Sequence, residues 1–277
     1  MSVWSAELGP LIAVILGIVQ GLTEFLPVSS SGHLALAEAF LEVPGGGVAF
    51  AVLLHAGTLL AIGIVFWDGV LRLIRGGLRL PLHLFRPPSE WPEDVQLAAK
   101  VVLATIPGAF VGLFLEDRIE AAFASPRVVG VLLWVTAALL FSTRRSGTGQ
   151  RDISWRDAIV VGVAQSVAIL PGISRSGSTI ATALLLGVSR PKAAEFSFLA
   201  ALPLILGSLV LELPELLETG RDGGFTPLAA GFVTSFLVGW AALIWLVKLV
   251  RQGALHWFAF YCLAAGAVAI FLAPTGG

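Results

Sequence analysis

The chain has 277 residues, of which 57% are hydrophobic and only 13% are charged. A soluble domain carries about a quarter charged residues, so this composition excludes an ordinary soluble protein and indicates a polytopic α-helical membrane protein. The net charge of −1 argues against a nucleic-acid partner, and the single cysteine, Cys262, excludes an intramolecular disulfide.

Six apolar segments are long enough to cross a hydrocarbon core of about 30 Å. We expect these spans at approximately 48–67, 95–115, 127–143, 191–213, 227–249 and 254–273. Two further apolar regions, 10–41 and 155–187, are interrupted in the middle by Pro, Gly and Ser. Each of these regions could be two short helices around a turn, or one span followed by a short helix.

The charges between the segments indicate how the chain is oriented. If all six segments cross, the arginine-rich loops 68–94 and 144–156 lie on one side, together with the basic residues near 190 and 250. The positive-inside rule makes this side cytoplasmic. The opposite side is mainly acidic, with carboxylates at 116–120 and 212–222. We therefore expect a multi-pass protein of the cell inner (plasma) membrane with both termini outside.

With this orientation, the two interrupted regions enter the membrane and turn back, one from each face. The expected fold is all-α, with six transmembrane helices plus two re-entrant helical hairpins arranged as inverted-topology repeats. We expect a single integral membrane domain, with repeat one at about 8–143 and repeat two at about 155–273. The segment at about 69–90, which has arginines at helical spacing, is expected to lie on the cytoplasmic surface.

Two stretches half a chain apart share one pattern, with an offset of 145 that places Gln20 beside Gln165. The same offset pairs Gly17 with Gly162, Ser29 with Ser174, Ser31 with Ser176 and Gly32 with Gly177. Both stretches contain Leu-Pro before the serines, which predicts an interrupted helix in each copy. The two turns should meet near the middle of the membrane and be buried in protein or line a wet cavity.

Gln20 and Glu24 are four residues apart, so both side chains point from one face of a helix. A carboxylate inside an apolar segment costs several kcal/mol unless it is paired or binds a metal, so Glu24 is a candidate functional residue. Oxygens of Glu24 and Gln20 could hold a divalent cation, Mg²⁺ or Ca²⁺. In the alternative interpretation, Glu24 is a structural carboxylate that caps the next half-helix.

Arg175 lies in the second turn, and the sequence has no acidic residue within eight positions of it. A guanidinium at membrane depth needs an anion, and its planar fork suits phosphate oxygens. An ion pair with Glu24 that locks the repeats together is the alternative, and the two interpretations are compatible. Backbone N–H groups and hydroxyls of both turns could also bind phosphate; these candidates are Ser29, Ser31, Gly32, Ser174, Ser176 and Thr179.

His33 could act as a general acid, a base or a nucleophile at phosphorus. His55 and Glu195 are weaker candidates within the apolar segments. Together, these residues favour phosphoryl transfer on an amphiphile with a phosphate headgroup. The main alternative is a transporter or flippase of a lipid phosphate, since secondary transporters share inverted repeats with broken helices. A structural scaffold would leave the intramembrane arginine unexplained.

Residues 20–33 (QGLTEFLPVSSSGH) and 171–179 (PGISRSGST) closely resemble the two signature motifs of the undecaprenyl-diphosphate phosphatases, which are bacitracin-resistance integral membrane enzymes. The resemblance extends over essentially the whole chain. It implies hydrolysis of undecaprenyl diphosphate to undecaprenyl phosphate and inorganic phosphate, which recycles the lipid carrier of cell-wall synthesis. It also implies a divalent-cation requirement and an active site that faces the outer side.

Carried onto this chain, the resemblance implies four residues at the reaction centre: Glu24, Ser30, His33 and Arg175. Ser174 and Thr179 match hydroxyls of the second motif. Gln20 stands where many members have Glu, which leaves Glu24 as the main anionic metal ligand. Two mechanisms stay open, in which either Ser30 or His33 attacks phosphorus, or a metal-activated water attacks while His33 protonates the leaving phosphate. The expected partners are the polyprenyl diphosphate substrate and membrane lipids, and the sequence leaves a homodimer open.

Overall fold

The computed structural model describes residues 9–41, 47–114, 122, 125–147, 149–223 and 225–271. Within these ranges the chain is helical, and its only extended pairing is an isolated bridge between Arg151 and Val188. The acidic loop that the sequence predicts at 116–120 lies outside the described residues, as do both termini and most of the glycine-rich exit at 44–47.

The helices of the described ranges are α1 (Pro10–Phe25), α2 (Ser30–Leu41), α3 (Gly47–Val65), α4 (Trp67–His83), α5 (Glu93–Phe114), α6 (Pro126–Ser142), α7 (Trp155–Val167), α8 (Arg175–Leu185), α9 (Arg190–Gly223), α10 (Phe225–Gln252) and α11 (Phe258–Phe271). Short 3₁₀ turns at Pro88–Glu90, Thr143–Arg145 and Leu255–Trp257 lie beside α5, α6 and α11. Each interrupted region thus forms two helices around a turn.

Four helices are long and apolar enough to cross a membrane, namely α5, α6 with its 3₁₀ extension, most of α9, and α10. The α3–α4 pair passes the same test but bends by 97°, so the described part of the chain contains up to five candidate spans. α1 and the segment Leu255–Phe271 are apolar but shorter. Each predicted span coincides with a helix, whereas six complete crossings stay a prediction.

The bend after α3 separates an apolar helix from an amphipathic one. On α4, Ile74, Leu78 and Leu82 are exposed, with Leu78 77% accessible. The guanidinium of Arg72 pairs with Glu195 on α9, and that of Arg79 pairs with Asp94 at 3.2 Å, which ties α4 to the bundle. An amphipathic helix nearly perpendicular to an apolar one has the shape of a helix that lies in a membrane interface, as the sequence predicts for 69–90.

Each hairpin packs against a long helix of the other predicted repeat. α1 packs on α10, and α7 packs on α5. A Cβ atom at Gly17 would lie 2.7 Å from the carbonyl oxygen of Gly231, and one at Gly162 would lie 2.7 Å from that of Ala104. Because the offset of 145 pairs these two glycines, the same position permits the close helix contact in both copies.

The entry to the second hairpin is held by a capping box and an ion pair. The Ser154 hydroxyl accepts a hydrogen bond from the backbone N–H of Asp157, and the Asp157 carboxylate accepts one from the Ser154 N–H at 2.8 Å. Arg151 donates to both carboxylate oxygens of Asp157 and to the carbonyl oxygen of Leu186. These hydrogen bonds, chiefly the one from Arg151, lower the pKa of Asp157 to about 2.

Asp157→Asn should lower the stability at pH 7 by about 1–2 kcal/mol, because a capping carboxylate and its ion pair are lost. The folded-state pKa of Asp157 is depressed, so its contribution is complete above about pH 5 and is lost as the pH falls towards 2. The gap between the thermal unfolding midpoints of wild type and D157N in detergent should therefore shrink over that range. Glu90→Gln, at an exposed carboxylate, is the control and should leave the midpoint unchanged. A gap that stays constant between pH 7 and pH 2 would contradict this account.

Candidate active site

Glu24, near the end of α1, is the centre of a buried polar cluster, and its side chain is 4% exposed. Its Oε1 pairs with the guanidinium of Arg175. Its Oε2 accepts hydrogen bonds from Gln20 Nε2 at 2.9 Å and Ser30 Oγ at 2.6 Å, and His55 Nε2 lies 3.3 Å away. These groups compensate the cost of removing a carboxylate from water.

The first turn brings Ser30 to this carboxylate. The backbone becomes extended at Leu26, directly after α1, and Ser29 adopts a positive φ of 70° before α2 begins. Positive φ is uncommon outside glycine, and such strained positions are often found at functional sites. The buried Oγ of Ser29 accepts a hydrogen bond from the Gly32 N–H at 3.3 Å, so Ser29 caps α2.

The second turn repeats the serine cap, although Ser174 has a φ of −72° where Ser29 has one of 70°. Ser174 caps α8 by accepting a hydrogen bond from the Gly177 N–H at 3.1 Å. Ser29 and Ser31 have their hydroxyls 3.3 Å apart, and the equivalent Ser174 and Ser176 have the same separation. The agreement confirms the helix–turn–helix that the sequence predicts in each copy.

The two turns are bonded directly to each other. The N–H of Gly172, which has a φ of 100°, donates to Ser29 Oγ at 2.9 Å. Buried Thr136 on α6 then donates to the Gly172 carbonyl oxygen at 2.7 Å and accepts from the Ser174 N–H at 3.0 Å. Thr136 is a positioning residue that sequence reasoning missed, because nothing in the apolar stretch around it marks the contact.

A cavity of about 370 Å³ lies beside the cluster, within the usual size range of small-molecule sites. Its polar wall contains Glu24, Ser29, Ser30, Ser31, His55, Gln165, Ser174 and Arg175. Residues of α9 at helical spacing, Ala201, Leu204 and Ile205, contribute an apolar wall. Two buried polar atoms of these residues, Arg175 Nη1 and Gln165 Oε1, have no hydrogen-bond partner among the residues that the structure describes.

Not all of the predicted site residues lie at this cavity. His33 has its Nδ1 2.8 Å from the Ser29 carbonyl oxygen and its Nε2 2.8 Å from the Tyr261 hydroxyl, and its ring stacks on that of Tyr261. Thr179 bonds the Ser197 hydroxyl behind the turn. Among the described residues, the cavity wall does not include the predicted ligands Gln20, Gly32, His33, Ser176 and Thr179, and their roles stay predictions.

His55 belongs to the cluster although the sequence ranks it as a weaker candidate. It lies in the middle of α3, and its Nδ1 is 2.7 Å from the Ala51 carbonyl oxygen one turn earlier. Glu24 is identified as a candidate because an ionisable side chain inside an apolar helix is costly, and the same argument applies to His55. The sequence ranks it lower because it lies in none of the motifs.

The oxygen atoms near Glu24 fit a cation that arrives with substrate. No group of three or more His, Cys, Asp or Glu side chains among the described residues could hold a metal ion by itself. Besides the Glu24 carboxylate, Gln20 offers Oε1, which is buried and has no hydrogen-bond partner in the described part of the chain. Mg²⁺ is usually bound by one or two protein oxygens, with substrate phosphates and water completing the shell. Glu24 matches that requirement from the cavity wall, whereas Gln20 lies outside the wall, and the cation stays a prediction.

The fold and the cluster define an all-helical, multi-pass membrane protein with a buried acid–arginine site between two interrupted helices. Residues 13–268 match the family model described as "Bacitracin resistance protein BacA". The chain therefore belongs to this family, and the resemblance drawn from the two motifs is confirmed.

Relatives named "Undecaprenyl-diphosphatase" match along nearly the whole chain. The protein of Christiangramia forsetii is 42% identical, with 94% of this chain and 97% of the relative covered. That of Methanosphaera stadtmanae is 39% identical, with 95% and 97% covered. That of Korarchaeum cryptofilum is 42% identical, with 92% and 95% covered.

Gly172→Ala should remove most of the folded protein, because the turn needs a positive φ and has no space for a methyl group. A Cβ atom there would lie 2.4 Å from the Val129 carbonyl oxygen. We expect a loss of at least about 3 kcal/mol, measured as a lower unfolding midpoint and a lower monodisperse yield in detergent. Gly112→Ala is the matched control, since a Cβ on this α5 glycine meets nothing within 4 Å. A G172A protein as stable as G112A would show that the turn has another structure.

Proposed function

We propose that this chain hydrolyses undecaprenyl diphosphate to undecaprenyl phosphate and inorganic phosphate, and thereby recycles the lipid carrier of cell-wall synthesis and confers bacitracin resistance. The observation that carries the proposal is the buried Glu24–Arg175 pair at the wall of a cavity. It occurs in a chain whose relatives are named "Undecaprenyl-diphosphatase".

Arg175 is the residue suited to bind the diphosphate. Its side chain is 17% exposed, with Nη2 on Glu24 and Nη1 buried without a partner. Buried polar groups are rarely left unpaired, so the free Nη1 is a donor available to a ligand oxygen. A guanidinium bonded on one edge to a carboxylate and on the other to phosphate would bind the anion and stabilise charge that develops in the transition state.

Ser30 is the residue best placed to attack phosphorus. Its hydroxyl already donates to Glu24 Oε2 at 2.6 Å, so the carboxylate can accept the proton as the bond forms. Ser30 Oγ bonds to the terminal phosphorus, the bond from that phosphorus to the bridging oxygen breaks, and undecaprenyl phosphate leaves. Water then bonds to phosphorus and the bond from phosphorus to Ser30 Oγ breaks; Glu24 returns its proton to Oγ, and the water protons leave with the inorganic phosphate. His33 is disfavoured as the nucleophile because its ring nitrogens contact Ser29 and Tyr261.

We propose that Mg²⁺ or Ca²⁺ takes part, held by Glu24 and the free Oε1 of Gln20. When bound, such a cation would neutralise phosphate charge and polarise the phosphoryl oxygens. Gln20 keeps its Nε2 on Glu24, so its amide orients the carboxylate and leaves its oxygen for a ligand.

The apolar wall of the cavity suits a polyprenyl chain. Ala201, Leu204 and Ile205 face it from α9, and Ser208 continues the same stripe. The stripe from Ala201 to Ser208 is about 10 Å long at the α-helical rise of 1.5 Å per residue. A phosphate group could therefore meet Arg175 while the first isoprene units lie along α9.

The membrane arrangement belongs to the same proposal: a plasma-membrane protein with six spans, two re-entrant hairpins in inverted repeats, and a site that opens to the outer side. α9 begins at Arg190, beside the arginine-rich loops that the positive-inside rule makes cytoplasmic. Residues 201–208 lie about 16–27 Å further along this helix. In a core of about 30 Å, that range is the outer half of the membrane.

Purified protein should release phosphate from a long-chain polyprenyl diphosphate in detergent, and a chelator should stop the release until Mg²⁺ or Ca²⁺ is returned. Glu24→Gln and Arg175→Ala should each lower kcat/KM by at least about 100-fold, because each removes charge from the reaction centre. Arg175→Lys should restore only part of the activity that Arg175→Ala loses, since lysine lacks the planar guanidinium. Arg144→Ala, on the surface beside Phe141, is the matched control and should retain activity. No release from folded wild-type protein would instead support transport of a lipid phosphate.

Ser30→Ala should lower kcat by about 1,000-fold or more if Ser30 is the nucleophile. Rapid quenching of wild-type protein with substrate labelled at its terminal phosphate should trap one labelled serine peptide that contains residue 30. Ser142→Ala, whose hydroxyl bonds only within the end of α6, serves as the control. Direct attack by water would be favoured if the S30A protein keeps most of its turnover. The same holds if no labelled protein forms while the wild type turns over substrate.

A further inference from the structure

His55 reaches the reaction centre from a helix that contributes no motif. Its side chain is 26% exposed and lies in the cavity wall with Ser30 and Arg175. The ring is anchored at one end, where Nδ1 contacts the Ala51 carbonyl oxygen at 2.7 Å. This contact with the preceding turn of α3 directs the opposite nitrogen, Nε2, to within 3.3 Å of Glu24 Oε2.

The contacts of Glu24 are divided between its two oxygens. Arg175 alone holds Oε1, while Gln20, Ser30 and His55 surround Oε2. Gln20 comes from the same helix as Glu24, and Ser30 follows on the next helix. Within the described ranges, therefore, Arg175 and His55 are the two residues that contact the carboxylate from elements outside the first hairpin. The orientation of Oε2 depends on α3 through the His55 side chain.

Binding of a phosphate makes this contact more important. A phosphate that bonds to Arg175 Nη1 shares the guanidinium with Glu24, so less of its positive charge compensates Oε1 as the substrate enters. The carboxylate must nevertheless stay directed at the Ser30 hydroxyl. Both ring nitrogens of His55 face acceptor oxygens, so the ring donates to Oε2 as an imidazolium, and its bond to the Ala51 carbonyl oxygen keeps it in place. Fixed supporting contacts of this kind keep a reacting group within the narrow range of geometry that catalysis needs.

We propose that His55 is a positioning residue of the phosphatase reaction, which holds the Glu24 carboxylate towards Ser30 while Arg175 binds the substrate. The inference rests on the proposed function, because it assigns His55 a part in that reaction. It identifies α3 as a third contributor to the site, beside the two hairpins. A purely structural histidine would stabilise the folded protein without affecting the turnover of bound substrate.

Steady-state kinetics of two substitutions test the proposal. His55→Leu removes both polar contacts and should lower kcat by about 10- to 100-fold with little change in KM, the effect of one hydrogen bond to a charged group. His55→Gln keeps an N–H donor near the position of Nε2 and should stay within about threefold of wild type. His83→Leu is the matched control, since His83 makes the same contact to the carbonyl oxygen one turn earlier, that of Arg79, on exposed α4. Thermal unfolding in the same detergent verifies that each variant is folded.

A double-mutant cycle separates positioning from a general loss of structure. In a Glu24→Gln background there is no carboxylate to orient, so adding His55→Leu should change kcat by less than about twofold. An H55L protein with wild-type kcat, or an equal loss in both backgrounds, would overturn the proposal. If H55L does not fold, the H55Q variant decides. An H55Q protein that is folded but loses as much activity as E24Q would also overturn the proposal. If wild-type protein releases no phosphate, the proposed function and this inference are overturned together. The other outcomes leave the proposed function in place.

Discussion

The site depends on one constraint, which is that a carboxylate inside an apolar helix must be surrounded by donors. Glu24 satisfies this requirement with groups from four helices, and the donors outside α1 are Ser30 on α2, His55 on α3 and Arg175 on α8. Each donor is itself fixed, since the turns that carry Ser30 and Arg175 share the Ser29–Gly172 hydrogen bond. Breaking any contact leaves a buried charge less compensated, so the same interactions stabilise the fold and organise the reaction centre.

The two serine caps share their hydrogen bonds, while the backbone at the caps and the chemistry differ: Ser29 has a φ of 70° and Ser174 one of −72°. The offset of 145 that pairs the caps also pairs Ser30 with Arg175, and each begins its helix and bonds to Glu24. Gln20 bonds to Glu24, whereas its equivalent Gln165 donates to the backbone carbonyl oxygens of two neighbouring helices. The second copy has no acid at the position of Glu24. One pair of turns thus forms a single site, with the acid from one copy and the arginine from the other.

Local signals predicted the helices, the turns and the two main charges. Apolar runs located the helices, Pro and Gly located the turns, and the cost of burying charge identified Glu24 and Arg175. Hydropathy placed the end of one span at residue 213, but α9 continues to Gly223 through Pro214, since polarity ends an apolar run without ending a helix. The sequence gives no sign of Thr136 and makes His55 only a weaker candidate, because their partners come from other helices and only packing brings them together.

The most direct test of this account is a structure of the protein with a polyprenyl methylenediphosphonate, in which a carbon bridge prevents hydrolysis. The account predicts that the terminal phosphonate lies within hydrogen-bond distance of Arg175 Nη1 and near Ser30 Oγ, with the chain along Leu204 and Ile205. It also predicts that the Glu24 carboxylate still faces Ser30. A headgroup bound elsewhere, for example in the charged cavity lined by Arg72, Lys192 and Glu195, with the Glu24–Arg175 cluster unchanged, would contradict it.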